Sequence, residues 1–297
     1  MIARAPGKLL LTGAYAVLEG APAIVVAVDR CAVADGATHD DAPGVEIRAA
    51  LGDPPKVDVS ALYEGTSKLG LGSSAAALVA ALGVRLAEEG KDLSAPDVRE
   101  TIFERARAAH AKAQGGGSGV DIAASVHGGV LEYRLKGERA TRTPVDLPPG
   151  LHVSAFFSGT SARTSELRAR VDALRVASPK LHATCMDALK DAAERAALAV
   201  RSGDGKAFLS ACLDTARGLD ALGNAADAPI VRESARELLV LASQEGAVFF
   251  PSGAGGGDVF VLVGVDPPSE PFKASAERFA WKSVPFGIDR CGIRTED

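Results

Sequence analysis

Lys68–Ala77 reads KLGLGSSAAA, two glycines spaced two apart and a serine pair running into an alanine-rich stretch. Leu78, Leu82 and Leu86 recur every four residues, so the stretch predicts a helix from Ala75 to about Leu86 with one buried stripe. Gly70 and Gly72 allow a sharp turn and a close backbone approach to a ligand. The helix start then presents unpaired N–H groups and a positive dipole end to an anion. Ser73 and Ser74 add hydroxyls suited to a phosphate oxygen or a Mg²⁺ ion. The stretch reads as a polyphosphate cradle.

Other readings compete for the same residues. GLGSSA fits the dinucleotide fingerprint G-x-G-x-x-G/A, but that motif needs a hydrophobic strand before it and an acid about 20 residues on. Val57–Lys68 is polar and irregular, and Glu88 and Glu89 sit at a helix end. A Walker A loop is excluded by the missing Gly-Lys-Ser/Thr ending. A glycine turn capping an ordinary core helix is the plain alternative, and the remaining glycine-rich stretches must decide.

The chain has 297 residues, enough for one large or two ordinary domains with full cores. It is 47% hydrophobic and 24% charged, with no apolar run long enough for a membrane span. Met1–Gly7 leads straight into what reads as folded structure, without a signal peptide. Cys31, Cys185, Cys212 and Cys291 lie far apart with no Cys-x-x-Cys pair, the pattern of reduced, mostly buried thiols in a cytoplasmic protein. A net charge of −5 argues against nucleic-acid or membrane partners, so an anionic substrate needs a local positive pocket.

In chain order, Leu9–Leu11 and Ile24–Val28 are apolar β-type runs separated by turn signals at Gly13, Gly20 and Pro22, a hairpin-like opening. Lys8 follows Pro6-Gly7 and is, on its own, an ordinary surface lysine. Residues 35 to 60 read as a strand or two with exposed loops. Ser94 and Asp97 resemble a capping box for a helix running to about Lys112, with Val98, Ile102, Ala106 and Ala109 inward. Gly115–Gly119 is a second glycine-rich turn, and Asp121 opens a short helical run, where it would serve equally as a cap. Gly129–Leu135 reads as a strand. Charged residues 136–143, then Pro144, Pro148 and Pro149, predict a boundary near 150, dividing the chain into 1–150 and 151–297. The second half reads as a strand over His152–Phe157, helices at about 164–176, 179–202, 205–222 and 229–244, and strands over 247–250 and 259–265. A helix over Lys273–Trp281 and a final strand follow, which gives an α+β domain with helices against an antiparallel sheet. A third glycine-rich loop, PSGAGGGD, occupies residues 251–258.

Three such loops, at 70–74, 115–119 and 253–257, together with APGK and GAYAVLEGAPAIVVAVDR near the start, resemble the GHMP kinase superfamily over nearly the whole chain. Within it the sequence is more similar to the phosphomevalonate kinases than to the mevalonate kinases. Lys68 precedes the loop, AQGGGSGVD lacks the proline of the mevalonate kinase turn, SGTSARTSELRARV resembles the phosphomevalonate enzymes, and Asp258 ends the third motif. His110 stands where mevalonate kinases carry a Mg²⁺-binding glutamate, and it is not assigned as a ligand. Ala14 stands where the family usually has glutamate, and Phe249 and Phe250 where a lysine often precedes the third motif.

The resemblance implies a two-domain α+β GHMP kinase fold, with a ribosomal protein S5 domain 2-like N-terminal domain and a ferredoxin-like C-terminal domain. It implies ATP and Mg²⁺ as cofactors and phosphorylation of 5-phosphomevalonate to 5-diphosphomevalonate. Mevalonate phosphorylation and a non-catalytic small-molecule sensor are the alternatives. Lys8 and Asp121 take the catalytic positions. Lys68, Gly70, Leu71, Gly72, Ser73, Ser74 and Ala75 take the ATP-binding ones, with Ser74 on Mg²⁺. Tyr15, Ser118, Gly119, Arg163, Ser252, Ala254, Gly255 and Gly256 fall on the substrate side. The expected partners are small molecules only, with the protein a monomer or homodimer.

Overall fold

Apolar and β-branched runs at the start of the chain form two long strands, β1 (Ile2–Thr12) and β2 (Pro22–His39), joined through a short 3₁₀ turn at Ala16–Glu19. The computed structural model describes residues 1–162 and 164–296, and of Gln114 the backbone alone. After β2 come α1 (Val45–Ala50), β3 (Pro55–Asp58), β4 (Tyr63–Glu64) and β5 (Ser67–Lys68). The helices α2 (Ser73–Glu88), α3 (Pro96–Gln114) and α4 (Val120–His127) follow, then the hairpin β6 (Val130–Lys136) and β7 (Arg139–Val145). The second half runs β8 (His152–Phe157), α5 (Thr164–Ala177), α6 (Pro179–Ser202), α7 (Gly205–Ala225), α8 (Glu233–Gln244), β9 (Val248–Pro251), β10 (Val259–Gly264), α9 (Glu270–Arg278), β11 (Lys282–Val284) and β12 (Arg294–Glu296).

One sheet has the order β12-β1-β2-β6-β7, with β3 added against β2. The chain divides into two compact units that interleave in sequence. One holds residues 1–9, 25–131 and 286–297, and the other holds 10–24 and 132–285. The boundaries fall inside β1, β2 and β6, so no single cut in the sequence separates the units.

The first unit is built on α2, whose residues from Ala75 to Val84 are all buried. Its alanines let neighbouring elements approach closely, and it packs on α1, α3, α4 and β12. A Cβ on Gly83 would lie 2.7 Å from Ile293 Cδ1, so this glycine makes room for the C-terminal strand segment. The helix start read from Ser94 and Asp97 is corrected here. Ala95 is the N-cap and Pro96 opens α3, while the Ser94 hydroxyl bonds the Asp92 carboxylate at 2.7 and 2.9 Å.

In the second unit the sheet order is β11-β8-β10-β9, with β11–β8, β8–β10 and β10–β9 all antiparallel. Numbered by their order in the chain, these strands run 4-1-3-2, the βαββαβ arrangement of a ferredoxin-like layer, with α5–α8 filling the first crossover. Its core is aromatic. Phe249 lies 5.4 Å from Phe260, 5.5 Å from Phe272 and 5.2 Å from Trp281, mostly edge to face. Each such ring contributes roughly 1.5–3 kcal/mol by burial. Phe249 and Phe250, both 1% exposed, are therefore core residues. The fold is α+β, as the element pattern implied.

Candidate active site

In the first unit, the backbone takes left-handed conformations at Gly70 (φ 86°) and Gly72 (φ 76°), and Gly72 is the N-cap of α2. The helix begins with the Gly72 carbonyl accepting from Ala76 N at 3.0 Å, so the N–H groups of Ser73, Ser74 and Ala75 precede the first intrahelical bond. Gly72 itself contributes no side-chain cap. Those three N–H groups and the dipole make an anion-holding end. The serines are the first two residues of the helix, two positions earlier than the helix start read from sequence.

Lys8 is fastened to this loop twice. Its backbone N donates to Leu71 O at 2.8 Å and its ammonium donates to Gly70 O at 3.0 Å. A Cβ on Gly72 would stand 3.2 Å from Lys8 Cγ and 3.6 Å from Asp121 Cβ, so lysine, loop and aspartate meet at one glycine. Asp121 is half-buried in the first turn of α4, and its carboxylate accepts from Ile122 N at 3.1 Å. Gly119 (φ 76°) is the N-cap of α4, and the Ser118 hydroxyl accepts from Val120 N at 3.4 Å. Leu71 and Ala75 are buried, so they offer backbone rather than side chain to a ligand. Lys68 is exposed on β5, paired with Tyr63.

Ser74 Oγ stands 3.5 Å from Nε2 of His110, a histidine 7% exposed near the end of α3. Mg²⁺ prefers oxygen ligands in octahedral array and usually keeps waters, binding through one or two protein groups plus substrate phosphates. Among the described residues no group of three or more His, Cys, Asp or Glu could cage a metal. The Ser74 hydroxyl, an oxygen donor at the anion-holding end of α2, is the kind of single protein group that fits a Mg²⁺ arriving on a nucleotide.

In the second unit, Gly253 (φ 122°), Gly255 (φ 77°) and Gly256 (φ 78°) shape the third loop. A Cβ on Gly255 would lie 2.3 Å from Ile230 O, and Gly256 N donates to that same carbonyl at 2.8 Å. Tyr15, itself at φ 60°, donates its hydroxyl to Ala254 O at 2.8 Å, and burial pushes its phenol well above the ordinary range. Ser252 Oγ accepts from Leu10 N at 2.9 Å. Both hydroxyls thus anchor the loop. Arg163 lies outside the described residues.

Two further residues hold this loop: Arg232, absent from the sequence reading, and Asp258, read there only as the end of the third motif. Arg232 donates to Gly256 O through Nε and a terminal nitrogen, at 3.0 and 2.7 Å. Asp258 Oδ1 accepts from Ala162 N at 2.9 Å while Asp258 N donates to Thr160 O at 2.8 Å, tying the loop to the turn after β8. Each contact spans more than 20 residues, beyond the reach of any local spacing pattern.

Residues 37–129 match the GHMP kinases N terminal domain. A phosphomevalonate kinase from Streptomyces sp. is 28% identical, aligning 87% of this chain with 88% of the relative. A mevalonate kinase from Aeropyrum pernix is 30% identical, aligning 73% of this chain with 75% of that protein. Among solved structures, a Lin0012 protein from Listeria innocua superposes with a TM-score of 0.86 at 21% identity, covering 99% of each chain. Streptococcus pneumoniae phosphomevalonate kinase in complex with phosphomevalonate and AMPPNP gives 0.80 at 19% identity, covering 97% of this chain and 99% of that one.

A glycine-capped anion end facing a lysine and an aspartate, on this α+β frame, defines the class: the chain belongs to the GHMP kinases. It is a phosphotransferase of that family, with the two-domain GHMP fold.

Proposed function

We propose that this kinase acts in the mevalonate pathway, transferring the γ-phosphoryl group of ATP to the phosphate of 5-phosphomevalonate, with 5-diphosphomevalonate and ADP as products. Residues 1–150 would carry the ATP-binding motifs and 151–297 those of the C-terminal domain, a division by motif that differs from the interleaved compact units. The observation that carries the reading is the meeting of Lys8, the Gly70–Ser74 loop and Asp121 around Gly72.

Phosphoryl transfer asks for in-line positioning and charge neutralisation more than for covalent chemistry. The N–H groups of Ser73, Ser74 and Ala75 would hold nucleotide phosphate oxygens. Mg²⁺, entering with ATP and held by Ser74, would neutralise part of the triphosphate charge. An acceptor oxygen attacks the γ-phosphorus, the bond to the bridging oxygen breaks, and the electron pair leaves with ADP. The Lys8 ammonium would balance charge spreading over the transferred group. A phosphate monoester has a second pKa of about 6 and is already ionised at neutral pH, so Asp121 would orient Lys8 and the acceptor rather than remove a proton. Lys68 and Arg163 would supply the added positive field that a doubly anionic acceptor requires. Tyr15, Ser118, Gly119, Arg163, Ser252, Ala254, Gly255 and Gly256 would form the acceptor side.

Support for the phosphate acceptor comes from the Streptomyces relative, which aligns over most of both chains, and from a histidine rather than a carboxylate at position 110. Mevalonate is the second reading, favoured by the 30% identity to the Aeropyrum pernix mevalonate kinase. ADP release with Mg-ATP and, in turn, phosphomevalonate, mevalonate and no acceptor separates them. Turnover with phosphomevalonate at least ten times faster than with mevalonate is expected. The reverse order would assign mevalonate, and no release in any arm would leave a sensor.

A further inference from the structure

We infer that Ser125 is a positioning residue for phosphoryl transfer, setting the helix that carries Asp121 against the strand that carries Lys8; this rests on the kinase reading above. Ser125 is 0% exposed, and its hydroxyl donates to Pro6 O at 2.7 Å. Helical serines commonly turn their proton back to the carbonyl four residues earlier, which here is Asp121 O. Ser125 instead spends its single donor on another element.

The geometry of both partners gives that bond its consequence. Ser125 is four residues after Asp121 and so lies on the same face of α4, one turn along. Pro6 is two residues before Lys8 on β1, so the two side chains point to the same side of the strand. One short, buried hydrogen bond therefore fixes the register between the elements bearing the aspartate and the lysine. The far end of α4 is also held, since Ile293 N donates to Val126 O at 3.2 Å and a Cβ on Gly128 would lie 2.4 Å from Gly292 N. Lys8 is fixed to the phosphate loop at both its backbone and its ammonium. Ser125 closes the triangle of loop, strand and helix.

The test is a double-mutant cycle between Ser125→Ala and Asp121→Asn, with turnover of Mg-ATP and phosphomevalonate expressed per folded molecule from circular dichroism melts. Alone, Ser125→Ala should lower kcat about five- to tenfold with both KM values within twofold, short of the roughly 10²-fold attached to a full ångström of misplacement. In the Asp121→Asn background the same change should cost less than twofold, because the group it positions is gone. Should Ser125→Ala not fold, Ser125→Cys, similar in size but a weak donor, enters the same cycle. An unchanged kcat, or losses that multiply independently, would reduce Ser125 to a packing residue and overturn the inference. Wild-type enzyme that turns over no acceptor would sink the kinase reading itself, a separate outcome.

Discussion

Lys8 and Asp121 meet at the same glycine. On the proposed reading, with a phosphate acceptor, the lysine would neutralise charge that appears only as the transferred group moves, whereas the aspartate would keep groups aligned. Lys8→Met should therefore lower kcat by about 10²–10³-fold, the loss that follows removal of one preorganised electrostatic contact. Asp121→Asn should cost well under the roughly 10²–10⁴-fold that a general base is worth. Steady-state kinetics with phosphomevalonate measure both; equal and near-total losses would mean that Asp121 removes a proton, and would favour a hydroxyl acceptor. Read alone, Lys8 is a surface lysine and Asp121 a helix cap; only the family resemblance singled them out. Ser125 and Arg232 carried no local signal, because each acts through a backbone group far away in the chain, and Asp258 was read only as the end of the third motif.

At the scale of elements, the third loop shows how glycine is required by space as well as by angle. Gly255 has φ 77°, and any Cβ there would collide with the Ile230 carbonyl at 2.3 Å. Gly255→Ala should destabilise the protein by about 1–3 kcal/mol from the backbone conformation alone, and more from the collision. A lower urea midpoint with reduced turnover is the expected outcome; wild-type stability would show that the loop shifts freely. The sequence placed α6 at its observed ends, but it began α8 four residues early and set α9 three residues late. The charged stretch 136–143 hid β7, because an edge strand alternates exposed and half-buried residues and needs few apolar ones. Helix α1, six residues between acidic and proline-containing turns, is too short for a period to register. The element sequence of the second half implied helices against an antiparallel sheet, and the ferredoxin-like order of β8–β11 was implied by the family resemblance alone.

For the whole molecule, acid stability follows from carboxylates held below their ordinary range. Glu194 is one, lowered by hydrogen bonds from the Arg134 guanidinium at 2.6 and 2.9 Å. Asp58 is lowered by the backbone N–H of Ser60. A lowered folded pKa contributes stability above the unfolded value of about 4.3 for glutamate, and loses it as pH falls through the folded value. Thermal midpoints should hold from about pH 7 to 5 and fall below about pH 4, with a shallower fall in Glu194→Gln; identical acid limbs would show that this pair contributes nothing. No helix among the described residues is long and apolar enough to cross a membrane. Phosphorus NMR of a reaction with Mg-ATP and phosphomevalonate reads directly which atom receives the phosphoryl group. Loss of the monoester resonance and growth of two coupled diphosphate resonances distinct from those of ADP are expected. A monoester signal that persists while mevalonate, supplied instead, gains a new one would contradict the proposed acceptor.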